Sequence, residues 1–390
     1  MISNRKKIGI VATIPLPLLI FMQPHIKMLA EQYDVTLITN GTEQELSSLL
    51  SDSVHLVTVN IAREIALWRD VVALFRLYFI FRRERFDVVH SLMPKTGLLG
   101  MLAAFAARVP HRIHTFTGQV WANKTGFARW GLKFLDKLIA SCATDLLADS
   151  LSQRQFLIAE QVVNKSKIQV LGNGSICGVD TQRFRPNLVV REQLRSSLGI
   201  SGDSIVYLFL GRLTRDKGIA DLAQAFVSLA DEVPDAHLLV VGPDESGMEA
   251  ILQSILAKHA PQFHRVGFTH RPEDYMACAD IFCLPSYREG FGSVIIEAAA
   301  VGVPAVASNI YGLTDAVSDG VTGILHQAKN IVEIKRALLS LTNDANKRVE
   351  MSHLARLRAH ELFATDVVVA AMRNYYRVLL NQTTQRAQHE

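Results

Sequence analysis

The alternation of short apolar runs with helical patterns constrains the fold of this chain more than any other feature. In the first half, the apolar runs lie at residues 8–13, 34–39, 54–60, 87–91, 112–116, 146–148 and 168–171. Their apolar content is nearly continuous, as in parallel strands that are buried on both faces. Helical patterns lie between these runs, for example at 25–31, 63–85 and 96–108. The alternation predicts an α/β fold with an open, doubly wound parallel sheet.

A glycine-containing, turn-rich segment interrupts the pattern at residues 172–186, and the alternation then restarts. Further strands are predicted at 205–210, 237–241, 264–266, 281–284, 305–308 and 323–325, and helices at 218–232, 248–259, 273–278, 293–301 and 331–341. A length of 390 residues also fits two domains. We place the first domain at 1–175, the linker at 176–187, the second domain at 188–363, and a final helix that crosses back to the first domain at 364–382.

Composition and charge exclude several classes of protein. Hydrophobic residues at 49% and charged residues at 20% are typical of a globular protein and not of a disordered chain. Four cysteines are too few for a disulfide scaffold, and we expect them to be reduced. A net charge of +4 is too small to indicate nucleic-acid binding by itself, and no nucleic-acid partner is expected.

The first 24 residues have the basic start and apolar run of a secretory leader. Pro15 and Pro17 interrupt the run, however, and no small-residue cleavage site follows. No stretch approaches the roughly 20 uncharged apolar residues that a membrane-spanning helix needs. We therefore expect a buried first strand and a cytoplasmic chain.

The segment of residues 285–308 combines a strand end, a glycine-containing turn and a helix start. Glu289 lies in the turn, where its carboxylate can accept hydrogen bonds from ligand hydroxyls. Gly290 and Gly292 let the backbone approach a ligand closely. The helix amides that follow favour an anion, because the N-terminal end of a helix is positive. Two doubly wound domains bring their strand carboxyl ends to one cleft, where such sheets bind ligands, so we place the site there.

A second carboxylate borders this helix start. Glu297 lies one turn beyond Ser293 and Val294 and can face the same side as Glu289. Carboxylates suit vicinal hydroxyls and amides suit phosphate, so the arrangement predicts a sugar joined to a diphosphate. The alternative is two surface carboxylates on a core helix. Their spacing alone fits that alternative, but the whole arrangement of strand, turn and following Gly302-Val303-Pro304 favours a site.

This segment resembles the Glu-x7-Glu signature of glycosyltransferase family 4, whose members have the GT-B fold of two Rossmann-like domains facing a central cleft. Further motifs agree with that family in order and spacing, namely Gly211-Arg212-Leu213 with Lys217, Val240-Val241-Gly242, Arg265-Val266-Gly267-Phe268 and the crossover from Asn173-Gly174 to Phe184-Arg185-Pro186. The resemblance covers nearly the whole chain and is strongest over residues 172–330. The run 115–121 is similar to that of transferases that build bacterial capsule or O-antigen repeat units.

The resemblance implies a role for each matching residue. Arg212 and Lys217 would hold the donor diphosphate, and with Glu289, which would bind the donor sugar, they are the expected catalytic residues. Glu297 would bind the nucleotide ribose. The expected donor-binding residues are Gly211, Gly242, Gly267, Phe268, Gly290, Phe291, Gly292, Ser293, Val294 and Glu297. The first domain would bind the acceptor, and the anomeric configuration would be retained.

Neither a metal nor another cofactor is expected, and the nucleotide sugar is a substrate. The sequence has no Asp-x-Asp, Cys-x2-Cys or His-Glu-x2-His pattern. Arginine, lysine and backbone amides can hold a diphosphate without a metal.

The first domain departs from the family in two places. Residues 12–17 lack the glycine-rich loop that often follows the first strand. Thr117 stands by register where the family often has a histidine, whereas His114 lies within the predicted strand. Both are acceptor-side candidates, although a buried strand histidine is the interpretation that we favour for His114.

The first half of the chain is basic, with 22 Lys and Arg against 14 Asp and Glu in residues 1–187. Arg69, Arg76 and Arg83 are seven residues apart and share one helix face. Aromatic and basic residues also alternate at Trp121, Lys124, Phe127, Arg129, Trp130, Lys133, Phe134 and Lys137. Such a surface suits anionic lipid headgroups. The alternative is a solvated face with core aromatics beneath it.

Together these features predict a retaining glycosyltransferase that uses a nucleotide diphosphate sugar, with a UDP-sugar preferred. The expected acceptor is a lipid-linked oligosaccharide on polyprenyl diphosphate, extended at the inner face of the plasma membrane during capsule or O-antigen assembly. A UDP-sugar 2-epimerase of the same fold and a non-catalytic nucleotide-sugar-binding assembly partner are the alternatives.

Overall fold

The computed structural model describes residues 5–62, 64 and 66–386, with side chains up to residue 381. The chain divides into two units. Unit 1 consists of Met1–Cys177 with Asp366–Glu390, and unit 2 consists of Gly178–Thr365. Each unit contains one parallel sheet, and each is described by itself.

Seven parallel strands form the sheet of unit 1 in the order β3-β2-β1-β4-β5-β6-β7. They are β1 (Lys7–Val11), β2 (Asp34–Thr39), β3 (Val54–Thr58), β4 (Val88–Leu92), β5 (His111–Phe116), β6 (Asp145–Ala148) and β7 (Ile168–Val170). The helices are α1 (Pro15–Pro17), α2 (Gln23–Ala30) after a π-helical segment at Leu18–Met22, α3 (Leu67–Glu84), α4 (Pro94–Ala106), α5 (Gly126–Cys142) and α6 (Leu151–Ala159). The strand order reverses between β1 and β4, which confirms the predicted doubly wound sheet.

Alternate residues of the strands in unit 1 enter two different cores, as the pleat of a strand requires. Ile8 and Ile10 of β1 pack in the core that contains α2. Val11 packs in the other core, with α3, α4 and α5. The first core is completed from the far end of the sequence, by Met372 and Tyr376 on the last helix.

Helix α3 starts later than the predicted start at residue 63. The first turn contains Asp70, whose Oδ2 accepts a hydrogen bond from the Ala66 N–H at 3.2 Å. An acidic residue in the first turn is favourable because it faces the positive end of the helix. The helix ends at Arg85, which has a left-handed φ of 54°. Ala73, Leu77 and Phe81 form its buried face at intervals of four residues.

Six parallel strands form the sheet of unit 2 in the order β10-β9-β8-β11-β12-β13. They are β8 (Ile205–Leu210), β9 (Ala236–Val241), β10 (Phe263–Val266), β11 (Ile281–Leu284), β12 (Ala305–Ser308) and β13 (Gly323–His326). The helices of unit 2 are α7 (Leu188–Ser197), α8 (Ile219–Ala230), α9 (Met248–Ile255), α10 (Pro272–Cys278), α11 (Ser293–Val301), α12 (Leu313–Ala316), α13 (Ile331–Thr342) and α14 (Ala345–Phe363), with 3-10 turns at Arg215–Lys217 and Ala257–Gln262. The last helix of the chain, α15 (Thr365–Arg386), leads back into unit 1.

The two chain segments that connect the units are paired with each other. The Val179 N–H donates to the Phe363 carbonyl at 2.7 Å, and the Thr365 N–H donates to the Val179 carbonyl at 3.0 Å. A Cβ at Gly178 would lie 2.7 Å from the Phe363 carbonyl oxygen, so only glycine fits this crossing. Among the helices that the structure describes, none is long and apolar enough to cross a membrane.

Candidate active site

A glycine directly follows each of three neighbouring strands in unit 2. The Gly211 N–H after β8 donates to the Val241 carbonyl at 2.9 Å, and the Gly242 N–H after β9 donates to the Val266 carbonyl at 3.0 Å. A Cβ at Gly242, where φ is 136°, would lie 2.0 Å from the Gly211 carbonyl oxygen. A Cβ at Gly267, after β10, would meet nothing within 4 Å. The floor of this edge is therefore bare backbone, which a ligand can approach closely.

The loop after β8 and the loop after β11 are bound to each other. The Tyr287 N–H donates to the Asp216 carbonyl at 2.8 Å, and the Arg288 guanidinium lies 3.1 Å from Asp216 Oδ2. Gly218 has a φ of 66°, and a Cβ there would lie 2.1 Å from the Pro285 carbonyl oxygen. These contacts bring Lys217 beside the turn that carries Glu289.

Lys217 and Glu289 form an ion pair at this junction. Lys217 Nζ lies 2.5 Å from Glu289 Oε1, and the Ser286 hydroxyl donates to the same oxygen at 2.9 Å. The two charged side chains are only 18% and 14% exposed. Shielding from water strengthens the attraction between them and fixes both at the strand end. The pair therefore presents a cation and a carboxylate in fixed positions to any ligand at this edge.

Arg212, the other predicted catalytic cation, has a different partner. Its Nη1 lies 2.7 Å from Glu245 Oε2, and both side chains are exposed. An exposed ion pair of this kind adds little stability. Arg212 can therefore leave Glu245 for an anionic ligand at small expense.

Two further glycines allow close packing around the predicted helix start. Gly292, with a φ of 81°, directly precedes α11, and a Cβ there would lie 2.5 Å from Leu313 Cδ2. A Cβ at Gly312 would lie 2.5 Å from the Gly290 carbonyl oxygen. The Phe291 side chain is buried, with its ring 5.2 Å from that of Phe363. Phe291 thus anchors the turn, and what it can offer a ligand is its backbone. Ser293 and Val294 begin the helix and are partly exposed.

Glu297 lies one turn into α11 and is half-buried. Burial raises the pKa of its carboxyl to about 7; Arg183 acts in the opposite direction and Glu273 adds to the rise. Arg183 itself pairs with Glu273 at 2.8 Å. A carboxyl that is poorly hydrated and only partly ionised is suited to a hydroxyl partner.

Several residues of this site were not predicted. Asp216 and Arg288 link the two loops. The Tyr287 hydroxyl donates to Asp221 at 2.7 Å, and the Lys329 ammonium lies 4.9 Å from the centroid of the Tyr287 ring. Arg288 is next to Glu289 in the sequence, and that position could have indicated that Arg288 belongs to the site. The partners of Tyr287 are too distant in sequence to be inferred. The Phe268 ring is exposed.

In unit 1, His114 is a buried strand histidine. It is 1% exposed, its Nδ1 lies 2.9 Å from Ser91 Oγ, and burial lowers its pKa to about 3. A Cβ at Gly97 would lie 2.4 Å from the His114 ring, so α4 packs directly on it. Thr117 directly follows β5 and is half-buried.

A basic aromatic surface covers the outer helices of unit 1, and it differs from the predicted one. Trp121 was expected in it but is fully buried, donates Nε1–H to Asp136 at 2.7 Å and lies under Arg129 and Lys133. Arg129 and Lys133 are also paired with Glu160. The prediction was wrong for these three residues. The basic aromatic surface consists of Trp68, Arg69, Phe75, Arg76, Phe79 and Arg83 on α3 with Lys124, Phe127, Trp130, Phe134 and Lys137 on or just before α5, all of them exposed.

Within residues 5–62, 64 and 66–386, no group of three or more His, Cys, Asp or Glu side chains could hold a metal ion. The expectation of a site without metal stays a prediction.

Two family descriptions match the chain, one in each half. "Glycosyl transferase 4-like domain" matches residues 25–174, and "Glycosyl transferases group 1" matches residues 190–358. The second match contains the whole of the site in unit 2.

Similar proteins agree with these matches. The chain is 30% identical over 357 residues to the capsular polysaccharide biosynthesis glycosyltransferase CapM of Staphylococcus aureus, covering 89% of this chain and 90% of that protein. It is 29% identical over 324 residues to the UDP-Gal:alpha-D-GlcNAc-diphosphoundecaprenol alpha-1,3-galactosyltransferase of Escherichia coli, covering 80% and 81%. The fold is similar to that of Anabaena HepE in complex with UDP, at 17% identity, with a TM-score of 0.78 over 96% of this chain and 100% of that one.

The GT-B fold, the enzyme class and the family resemblance expected from the motifs are thereby confirmed. The chain belongs to the group 1 glycosyltransferases, glycosyltransferase family 4, and is a glycosyltransferase.

Proposed function

We propose that this enzyme transfers a sugar, with retention of configuration, from a UDP-sugar to a lipid-linked oligosaccharide on polyprenyl diphosphate in capsule or O-antigen assembly. The names of the relatives support the acceptor class, since one is a capsular polysaccharide enzyme and the other acts on a diphosphoundecaprenol-linked GlcNAc. The second name also contains a UDP-sugar donor, which supports UDP here.

The observation that carries this proposal is the shielded Lys217–Glu289 pair at the strand ends of unit 2. A nucleoside diphosphate gains negative charge as its bond to the sugar breaks. An ammonium group already held in place stabilises that charge without reorganising during the reaction. Glu289, fixed by Lys217 and Ser286, offers its carboxylate to the donor sugar hydroxyls. The reacting bond therefore lies at the turn of residues 285–292.

The remaining groups of the edge bind the nucleotide. The diphosphate and the adjoining parts of the nucleotide sugar bind to backbone groups, namely the amides from Phe291 to Val294 and the backbone at Gly211, Gly242 and Gly267. Arg212 leaves Glu245 and pairs with a phosphate instead. Glu297 pairs with the ribose hydroxyls, for which its raised pKa suits it. The exposed Phe268 ring stacks on the base. No metal takes part in this arrangement, because Lys217, Arg212 and the helix start carry the positive charge.

Thermal stabilisation by UDP, GDP, ADP and TDP, with and without Mg2+, tests the donor site. Ligand at about 100 times its dissociation constant adds about 2.7 kcal/mol to the free energy of unfolding. We expect UDP alone to stabilise the wild type, equally with and without Mg2+. The stabilisation should disappear in Glu297→Ala and persist in the matched control Glu350→Ala, an exposed glutamate on α14. Absence of a shift with every nucleotide, or a shift that requires Mg2+, would contradict the proposed site.

Turnover that depends on an added acceptor separates the transferase from its alternatives. A UDP-sugar 2-epimerase would convert free UDP-sugar without any acceptor, and an assembly partner would bind nucleotide without turnover. We expect UDP release only when a sugar-diphosphate polyprenol is present.

The basic aromatic surface suits an enzyme whose acceptor is carried by a lipid. Phe127 is 94% exposed, Trp68 78% and Trp130 69%, and exposed arginines of α3 lie beside them. Aromatic rings prefer the headgroup region and cations prefer anionic lipids. We place this surface on the inner face of the plasma membrane, with the acceptor lipid beneath unit 1.

A further inference from the structure

A second polar cluster lies at strand carboxyl ends, in unit 1. Asp149 directly follows β6, Gln119 follows β5 by three residues, and Ser175 follows β7 by five. Gln153 joins them from the first turn of α6. Asp149 is 8% exposed, Gln119 1% and Gln153 0%. Polar side chains avoid such burial unless they are hydrogen-bonded or serve a ligand.

The backbone of Asp149 is fixed by its neighbours. Its N–H donates to Gln153 Oε1 at 2.7 Å, and its carbonyl accepts from the Ser175 N–H at 2.7 Å. Gln153 in turn donates its Nε2–H to Gln119 Oε1 at 3.4 Å, and its N–H donates to the Ser150 hydroxyl at 3.1 Å. The loops after three strands are thus linked by hydrogen bonds at or next to the backbone of Asp149.

One oxygen of the Asp149 carboxyl differs from the backbone of the same residue. Its Oδ1 is buried and has no hydrogen-bond partner. Burial raises the pKa of this carboxyl to about 8, so at neutral pH it keeps its proton. Asp136, the other buried aspartate of unit 1, differs because Trp121 Nε1–H donates to it at 2.7 Å. A buried carboxyl oxygen without a hydrogen-bond partner, on a backbone that is fixed by its neighbours, favours a partner from outside the chain.

We propose that Asp149 binds a hydroxyl group of the acceptor sugar at the strand ends of unit 1, with Gln119 and Gln153 as its support. An uncharged carboxyl has one donor and free acceptor positions, as a sugar hydroxyl has, and the two can exchange hydrogen bonds. A phosphate would find no cation in this cluster. The location fits because ligands of such sheets bind at strand carboxyl ends. This inference rests on the proposed function, which assigns the donor to unit 2.

Direct binding of the acceptor tests this role apart from catalysis. The probes are GlcNAc-diphosphoundecaprenol and its galactose and GalNAc counterparts in detergent micelles, with calorimetry as the readout. We compare wild type with Asp149→Ala, Asp149→Leu and Asp149→Asn. The control is Asp145→Ala, at the opposite end of the same strand β6. Binding of UDP by each variant reports the donor site separately.

We expect Asp149→Ala and Asp149→Leu to weaken binding of the preferred probe about tenfold, as loss of a buried hydrogen bond does. Asp149→Asn should stay within about threefold, because an uncharged amide can replace an uncharged carboxyl. Asp145→Ala and the UDP affinity of all variants should be unchanged. The Tm of Asp149→Leu should equal or exceed that of wild type, since an unsatisfied group is removed.

Three results would overturn the role of Asp149. They are acceptor affinity unchanged in Asp149→Ala and Asp149→Leu, an equal loss in Asp145→Ala, and binding of no probe by the wild type. Failure of the proposed function has a different signature, namely no UDP binding, or no transfer from any UDP-sugar by a wild type that does bind the acceptor.

Discussion

The polar groups in and beside the two sheets differ in charge and burial. In unit 2, Lys217 and Glu289 are charged, paired and partly exposed. In unit 1, His90 within β4 and His114 within β5 are buried, with pKa values lowered to about 3. Asp149, directly after β6, has its pKa raised to about 8, so burial leaves all three uncharged at neutral pH. A charged edge suits a diphosphate and an uncharged edge suits hydroxyls. Two sheets that share the order of six strands are therefore expected to serve two kinds of ligand.

The largest effect should come from removing the cation of the charged edge. Lys217→Met should lower kcat about 100- to 1000-fold, because it removes a group that stabilises developing charge. Steady-state UDP release in the presence of acceptor measures the change. Lys258→Met is the matched control, since Lys258 forms an exposed pair with Asp231 elsewhere in unit 2. Equal activity of both variants would mean that the charged edge is not the reacting one.

The second prediction concerns the basic aromatic surface, which is a feature of unit 1. Replacing Arg76 with alanine should weaken binding to phosphatidylglycerol vesicles roughly fivefold, because a basic residue near an anionic membrane contributes about 1 kcal/mol. Trp130→Ala should weaken it further through loss of an interfacial ring. Vesicle co-sedimentation at two salt concentrations measures both. Phe268→Ala, an equally exposed aromatic of unit 2, should leave vesicle binding unchanged, and a loss there would remove the distinction between the units.

The smallest effects are opposite pH dependences of stability. His90 and His114 are neutral when folded and take protons when unfolded, so their contribution to the stability of unit 1 falls as pH drops below 6.5. The raised pKa of Asp149 acts in the opposite direction, so the effect of the histidines is read from the difference between wild type and His114→Asn. The limiting slope is about 1.4 kcal/mol per pH unit for each histidine. All three tryptophans, Trp68, Trp121 and Trp130, lie in unit 1, so their fluorescence reports its unfolding. His114→Asn should flatten this dependence.

Glu297 should act in the reverse direction. Its folded pKa of about 7 lies above the ordinary value of 4.5, so its contribution is full below pH 4.5 and is lost as pH rises toward 7. Calorimetry of Glu297→Gln without nucleotide should show a gain in stability at pH 8 relative to wild type. A loss at pH 8 would mean that the carboxylate is stabilised in the folded protein.

Much of the fold follows from the sequence because parallel strands are short, apolar and bounded by glycines. The strand at 205–210 and the helix at 293–301 are found with the predicted bounds. Helices α7 and α14 were missed. The buried face of α14 consists of Met351, Ala355, Ala359 and Phe363, and two alanines among many polar residues give a weak apolar period.

Some residues of the site can likewise be predicted from the sequence, and others cannot. Lys217 and Glu289 each belong to a local motif that is recognised by its whole arrangement of residues, and the structure brings them together across 72 residues. Trp121 could not be placed from sequence, because its burial depends on Asp136 and on cations stacked over its ring. Asp149 carries no pattern at all. A single aspartate after an apolar run gains meaning only when its burial and its missing partner are known.

The return of α15 to unit 1 has a consequence for how the protein is made. The Tyr376 hydroxyl of that helix lies 2.9 Å from Nδ1 of His90, which is 286 residues away in sequence. Unit 2 is continuous in sequence and can finish folding as it leaves the ribosome, whereas one apolar side of unit 1 stays uncovered until α15 has been synthesised. The second unit to be translated is therefore the first to mature. The nascent first unit is the part of the chain that a chaperone would have to protect.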